Sequence, residues 1–157
     1  MRDQSFRAPL HLSKPHREAG ALVINVVSPT AGLFDGDEVD LALTVEPARN
    51  ALWIGTSAGV HEVDLASGKL RSTFTRKDGL ANEYVFAVGL DRSGQKWFGT
   101  NAGGVSRYKD GKWKTFFPMH GLADYWIYSF AEQKSGDFWI GTWAGVNRLD
   151  AKTGRFS

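Results

Sequence analysis

The sequence predicts an all-β fold made of repeated antiparallel sheets, and three observations carry that prediction. The phrase LWIGTSAGV at 52–60 returns as KWFGTNAGG at 96–104 and as FWIGTWAGV at 138–146. Aromatic residues make up 13% of the chain, and aromatic side chains favour strands. The 18 glycines indicate many tight turns. Because no segment shows a sustained helical period, we expect strands and turns throughout.

The repeated phrases are evenly spaced along the chain. Trp53, Trp97 and Trp139 are 44 and 42 residues apart, and a Gly-Leu pair recurs in phase at 79–80 and 121–122, with an older copy at 32–33. Each Gly-Leu pair precedes a strand-like stretch that leads through a turn into the Trp phrase. Four antiparallel strands in each repeat of this length are typical of a β-propeller blade. Solenoid repeats are usually shorter or contain helices, and sandwiches do not repeat at a fixed period.

The elements can be assigned in order along the second copy. Strands are predicted at 84–90, 96–100, 105–109 and 112–117, and Asp110-Gly111 is a strong hairpin signal between the last two. The blades are expected at about 40–75, 84–117 and 126–157, after an irregular segment at 1–20 and an outer strand at 21–27. About three and a half blades fit, whereas closed propellers have roughly four to eight. We therefore expect a piece of a longer propeller, or copies that associate to close a ring.

The Trp phrase itself is interpreted as blade packing. Adjacent large residues such as Trp97 and Phe98 occupy both faces of one strand, as in a strand buried between two neighbouring blades. A glycine follows at 55, 99 and 141, where a neighbouring group would pack closely. The glycines at 59, 103 and 145 are expected to supply positive φ in the next turn. A cofactor-binding role for the phrase is the alternative.

The full pattern resembles the two-component regulator propeller repeat. It runs from Gly-Leu through an inner strand and an acidic-x-x-Gly turn to Trp-x-Gly-Thr-x-x-Gly, over about residues 30–157. The resemblance implies a propeller outside the cytoplasmic membrane that senses ligands, glycan fragments among them, for a downstream histidine kinase, hybrid regulator or diguanylate cyclase. The first copy departs from the pattern, with VEPARN where the second has LDRSGQ. No signal peptide, transmembrane helix or output domain is visible in the sequence.

Composition narrows the partners that we expect. The formal net charge is +2 and the basic residues are scattered in sequence, so no nucleic-acid footprint is predicted. The absence of cysteine excludes disulfides, thiolate metal sites and a cysteine nucleophile. The longest apolar run, at 21–27, is too short to span a bilayer.

A ligand is expected at the end of the propeller where the loops after the Trp phrase meet the linkers between blades. Trp143 is the leading candidate, because Ser57 and Asn101 at the same position show that the repeat does not require an aromatic side chain there. Stacking on a sugar or other ring is the functional interpretation, and a capping contact with a neighbouring blade is the alternative. The other candidate ligand-binding residues at this rim are Asn82, Glu83, Asn101, His120, Asp124 and Tyr125, and Trp126 lies beside them.

Metal and catalytic roles have weaker sequence support. His120 and Asp124 form a lone His-x-x-x-Asp spacing, which loop hydrogen bonding also explains. The acidic stretch FDGDEVD at 34–40 could hold calcium but matches no complete EF-hand loop, and a solvated linker is the simpler interpretation. No Gly-x-Ser-x-Gly elbow or ligand-spaced histidine pair occurs, so we expect no catalytic residue, metal site or cofactor. A fragment of a propeller lyase, lactonase or quinoprotein dehydrogenase, or a structural protein-interaction propeller, remains the alternative.

Overall fold

The computed structural model describes residues 42–157 and, before them, four short strands. Their bounds are β1 His11–Leu12, β2 His16–Glu18, β3 Ala21–Val23 and β4 Val26–Val27. β1 pairs with β4, and β2 pairs with β3, both antiparallel. The prediction of an irregular segment at 1–20 falls mostly outside the described residues and stays a prediction. Where one outer strand is predicted at 21–27, the structure describes two short strands, β3 and β4, that pair with different partners, and their place in a preceding blade stays a prediction.

Residues 42–157 form three antiparallel sheets, which we name the first, second and third blades. The first blade contains β5 Ala42–Glu46, β6 Ala51–Thr56, β7 Gly59–Asp64 and β8 Leu70–Phe74. The second contains β9 Val85–Leu90, β10 Lys96–Thr100, β11 Val105–Lys109 and β12 Lys112–Phe116. The third contains β13 Ile127–Glu132, β14 Phe138–Thr142 and β15 Gly145–Leu149, and Phe156 bridges to Leu149 beyond it.

Neighbouring strands in each blade are also neighbours in sequence, so every blade is a simple meander. Three single-turn 3-10 helices complete the described regular structure, at Pro47–Arg49, Arg76–Asp78 and Pro118–His120. No α-helix occurs among the residues that the structure describes. The predicted all-β fold is therefore confirmed, with four strands in each of the first two blades and three strands plus the Phe156 bridge in the third.

The second strand of the second blade is buried between both neighbouring blades. All five residues of β10 are buried. Trp97 packs with Phe138 of the third blade, their ring centroids 4.7 Å apart, while Phe98 packs with Trp53 of the first. Each such aromatic side chain contributes about 1.5–3 kcal/mol by leaving water. The interpretation of the Trp phrase as blade packing is confirmed for this copy.

Two glycines of the phrase allow the inner strand of the next blade to pack closely. A Cβ atom built on Gly55 would lie 2.6 Å from Cγ1 of Val85, and one on Gly99 would lie 2.6 Å from Cγ2 of Ile127. Both distances are shorter than carbon atoms tolerate, so any side chain would push the inner strand of the following blade away. The close approach that the sequence predicts at these glycines is confirmed.

The prediction that Gly103 supplies positive φ is wrong. Gly59 and Gly145 do adopt it, at 111° and 141°, but in the second copy the residue in this position is Gly104, at 79°. The amide of Thr100 pairs with the carbonyl of Gly104, which shows that the second loop is one residue longer than the others. In the second copy, the sequence alignment of the repeats is therefore one residue out of register with the alignment of their backbones.

Replacing Gly99 by alanine is expected to lower the free energy of unfolding by about 1–2 kcal/mol, because the new methyl group overpacks the contact with Ile127. Urea denaturation measures this loss. The double variant G99A/I127A removes Cγ2, the nearest clashing atom, and keeps the Ile127 Cβ at 2.9 Å, so its cost should be somewhat less than the sum of the two single costs. Strictly additive costs would contradict the proposed contact.

Candidate functional site

The loops after the Trp phrases are joined to the linkers between blades. The amide of Gly59 donates to the carbonyl of Glu83 at 2.7 Å, and the amide of Gly104 donates to the carbonyl of Tyr125 at 2.8 Å. Each bond connects one blade to the residues that lead into the next. The loops and linkers therefore share one end of the molecule, which we call the rim.

Two polar residues turn the linkers toward the inner strands. Oδ1 of Asn82 accepts the amide of Tyr84 at 3.0 Å, and Oδ1 of Asp124 accepts the amide of Trp126 at 2.9 Å. Nδ2 of Asn82 also donates to the carbonyl of Asn101 at 2.8 Å, which ties the linker to the loop. An aromatic residue thus follows each turn at the start of an inner strand.

The inner strands carry matching β-bulges near the rim. The pairing of β9 with β10 skips Phe86, which lies between the paired residues Val85 and Ala87. The pairing of β13 with β14 skips Tyr128 in the same way. Bulges re-aim side chains out of the regular ladder, and here they direct two aromatic rings against each other. The rings of Phe86 and Tyr128 stack with centroids 5.3 Å apart and planes 14° apart.

These rings belong to an aromatic band that crosses from the second blade to the third. Ring centroids lie 5.2 Å apart for Tyr84 and Phe86, and 6.3 Å apart for both Phe86 with Trp126 and Tyr128 with Trp143. Trp143 ends the band and is 76% exposed. Its amide donates to the carbonyl of Trp126 at 3.0 Å, which fixes its backbone while the indole remains accessible.

A cavity of about 300 Å³ opens beside the end of this band. It is lined by Asp124, Trp126, Tyr128 and Trp143. One carboxylate oxygen of Asp124 closes the linker turn, and within residues 42–157 its second oxygen makes no hydrogen bond. The cavity therefore combines aromatic faces with a hydrogen-bond acceptor, which is the combination that a ring bearing hydroxyl groups requires.

The structure brings two of the predicted site residues, Trp143 and Asp124, to this cavity. Asn82, Glu83 and Asn101 lie at the rim, in the linker and loop of the second blade. The ring of Tyr125 lies near that of Phe117, with centroids 6.4 Å apart. Its backbone carbonyl holds the loop of the second blade. The binding roles of these residues stay predictions.

His120 lines a different cavity, of about 380 Å³, with Lys114, Phe116 and Phe156 among its neighbours. Its Nδ1 atom accepts the amide of Phe117 at 3.0 Å and so closes the 3-10 turn. Asp78 closes the corresponding turn one blade earlier by accepting the amide of Thr75 at 2.8 Å. Loop hydrogen bonding therefore accounts for the histidine at this position.

Sequence analysis missed Phe86 and Tyr128 as members of the band. Their 42-residue spacing matches the repeat, which was the available signal, but an aromatic residue inside a strand gives no sign of a bulge. Only the register with the neighbouring strand reveals that both rings leave the ladder.

The remaining site predictions fall on two parts of the chain. Within residues 42–157, no three His, Cys, Asp or Glu side chains group closely enough to hold a metal ion. The acidic stretch at 34–40, with Asp35, Asp37, Glu38 and Asp40, lies outside the described residues, so calcium binding there stays a prediction. No helix in the described part of the chain is long and apolar enough to cross a membrane.

The blades and their connections define the class of this protein as a β-propeller. The extracellular domain of a protein described as a hybrid two component system of B. thetaiotaomicron superposes with a TM-score of 0.69 at 24% identity, covering 85% of this chain and 20% of that one. A second such domain from the same organism gives 0.63 at 18% identity, over 74% and 17% of the two chains. Virginiamycin B lyase from Staphylococcus aureus gives 0.55 at 21% identity, over 74% and 39%.

The particular repeat is also recognised. Residues 121–144 match the family model described as the two component regulator propeller, so the resemblance stated from the sequence is confirmed there. A curated relative, urease accessory protein UreD of Opitutus terrae, is 40% identical over 75 residues, which are 46% of this chain and 28% of the relative. The chain thus spans less than a third of that relative and a fifth of the first extracellular domain.

Proposed function

We propose that this chain is a ligand-sensing propeller module of an extracytoplasmic signalling protein, and that its rim binds a glycan-like ligand. One observation carries the proposal. Trp143 is 76% exposed beside the rim cavity, at a loop position where the other copies have Ser57 and Asn101. Because the repeat folds without an aromatic residue there, the indole is available for recognition.

The chemistry of the cavity favours a ring with polar edges. The apolar face of a sugar can stack on an indole or phenol ring, while its hydroxyl groups donate to a carboxylate. Trp143, Trp126 and Tyr128 supply the rings, and Asp124 supplies the acceptor. This combination suits a neutral oligosaccharide.

We infer a signalling role from the proteins in which this repeat and similar propellers occur. The match at 121–144 is to a repeat of two component regulators, and the two sensor domains that superpose on the chain are extracellular. We infer an extracytoplasmic location and a longer parent protein whose kinase or cyclase domain responds to the propeller. Association of copies to close the ring is the alternative route to a complete propeller.

An enzymatic role is the second candidate, since a lyase shares the fold. The sensor domains superpose with the higher TM-scores, 0.69 and 0.63 against 0.55. In addition, Asp124 is the one carboxylate that lines the rim cavity, and no histidine or lysine lies beside it there. We therefore favour binding without turnover.

Replacing Trp143 by alanine is expected to weaken oligosaccharide binding at least tenfold, because one aromatic face removed from water contributes about 1.5–3 kcal/mol. Isothermal titration calorimetry against a panel of neutral oligosaccharides measures this loss. Leu70→Ala, which removes another exposed apolar side chain from the outer strand of the first blade, is the control and should bind normally. Unchanged affinity in W143A would contradict the assignment of the ligand-binding site to the rim.

A further inference from the structure

The outer hairpin of the second blade gathers four cations on one face. The segment RYKDGKWK at 107–114 alternates basic residues with Tyr108 and Trp113 along β11 and β12. Arg107 stands directly opposite Lys114, and Lys109 opposite Lys112, so both cross-strand pairs join like charges. We call this surface the basic hairpin face. These four basic residues lie within one eight-residue segment, and strand pairing places them on the same face of the hairpin.

The arrangement costs stability and gains no ion pair. Like charges directly opposite in a sheet are destabilising. Among residues 42–157, none of these four side chains lies within 4.0 Å of a carboxylate oxygen. The first blade shows that the scaffold does not require this pattern. There, Glu62 and Asp64 take the positions of Arg107 and Lys109, and both pair with Arg71.

Protection of a sheet edge explains only half of the basic hairpin face. Lysines on an edge strand discourage pairing with other chains, and Lys112 and Lys114 do lie on the edge strand β12. Arg107 and Lys109 lie on β11, which is paired on both sides. Edge protection gives no reason for cations there.

A groove runs past these cations between the second and third blades. A cavity of about 400 Å³ is lined by Arg107 and Lys114, with Trp97 and Phe116 at its floor. Two smaller cavities share Lys114 with it: one extends along the hairpin to Lys109 and Lys112, and the other reaches Phe156. The Arg107 guanidinium lies 5.5 Å from the ring centroids of both Trp97 and Phe116, and Nζ of Lys114 lies 5.0 Å from that of Phe116.

Four carboxylates also line these cavities: three are hydrogen-bonded to other groups, and the fourth, Asp110, lies at the hairpin tip. Asp91 accepts the Trp97 indole and two neighbouring side chains, Glu132 accepts the amide of Arg92, and Asp150 closes its own turn. Within residues 42–157, none of these carboxylates forms an ion pair with the basic hairpin face. A ligand with its own negative charges would supply those ion pairs.

We propose that the basic hairpin face binds an acidic polysaccharide whose sulfate or carboxylate groups pair with Arg107, Lys109, Lys112 and Lys114. An elongated groove with aromatic side chains at its floor suits a chain of rings. A membrane surface fits less well, because the apolar side of the hairpin is packed inward: Tyr108 and Trp113 contact Phe74 of the first blade, with centroids 5.2 and 5.6 Å away. This site is separate from the rim cavity and stands or falls independently of it.

The test compares dextran sulfate with neutral dextran, which share a backbone and differ in charge. We expect the full chain to bind dextran sulfate and not neutral dextran, and we expect its affinity for dextran sulfate to fall as the salt concentration is raised. The variant R107Q/K109Q should bind dextran sulfate at least tenfold more weakly at 100 mM salt. It removes two of the four cations, and each cation near an anionic surface contributes to the binding affinity. The control R76Q/K77Q removes the same net charge from the exposed linker turn and should bind like the parent chain.

Each remaining outcome of this test either overturns or supports the proposed binding site. Equal loss in R76Q/K77Q would mean that net charge alone drives binding, and undiminished binding by R107Q/K109Q would place the ligand elsewhere; either result overturns the proposal. Binding to anionic vesicles or polyglutamate but not to dextran sulfate would also overturn it in favour of those partners. If R107Q/K109Q unfolds, K109Q/K112Q changes only exposed side chains at the hairpin tip and should still lose affinity. A polygalacturonate arm distinguishes carboxylate from sulfate recognition.

Discussion

Replacing Lys96 by methionine is expected to lower the free energy of unfolding by about 3–5 kcal/mol, the largest effect of any substitution considered. Nζ of Lys96 donates to Oε1 of Glu46 at 2.7 Å, which joins the second blade to the first. Lys96 is 3% exposed and Glu46 is 6% exposed. Because methionine matches the length of the stem but carries no charge, the carboxylate would remain buried without its cation. Urea denaturation measures the loss.

The double variant K96M/E46Q separates the charge from the packing. Oε2 of Glu46 accepts the Trp53 indole at 2.9 Å, and a glutamine carbonyl can accept the same proton. Removing both charges should therefore recover most of the stability that K96M loses. Arg92→Met breaks an exposed pair with Glu132, also between blades, and should cost under about 1 kcal/mol. If K96M costs no more than R92M, or if the double variant is no better than K96M, the buried pair is not a stabilising unit.

This pair could not be predicted from the repeat. Leu52 and Phe138 take the position of Lys96 in the other copies, so the pattern there is apolar and a lysine looks like an exposed exception. Its partner lies 50 residues away in the first copy, which departs from the consensus turn. Coupling between two irregular positions in different blades becomes visible only when the blades are packed.

What the sequence does predict follows from its repetition. Three copies of one phrase locate the second strands, and the hairpin signal at Asp110-Gly111 locates the turn between β11 and β12. Repetition fails where one copy differs in backbone length, as in the loop that ends at Gly104, and where register shifts, as at Phe86 and Tyr128. At the rim, Trp143 stands out because the copies differ there, whereas the other rings of the band resemble core residues.

Asp91 supports the second-largest expected effect. Its Oδ2 atom accepts the Trp97 indole at 2.8 Å, and the amides of Ser93 and Gln95 bind its Oδ1 atom, each at 2.9 Å. Burial works to raise the pKa of this carboxyl, but the hydrogen bonds from Trp97, Gln95 and Ser93 together outweigh it and hold the pKa below its usual 3.8. The third blade has Gln133 at this position, and there the Nε1 atom of Trp139 is buried without a partner within the described residues.

Replacing Asp91 by alanine should therefore lower the free energy of unfolding by about 2–3 kcal/mol at neutral pH, because it leaves the Trp97 indole unpaired and opens the turn. The sign of the pH dependence follows from the lowered pKa. The carboxylate's stabilisation is fully present above the unfolded value of about 3.8 and is lost as pH falls through the lower folded value. D91N keeps a carbonyl acceptor for Trp97 but cannot titrate, so its unfolding free energy should fall less steeply than that of the parent chain in acid. Parallel acid profiles for D91N and the parent, from urea denaturation at a series of pH values, would show that Asp91 is not the titrating group.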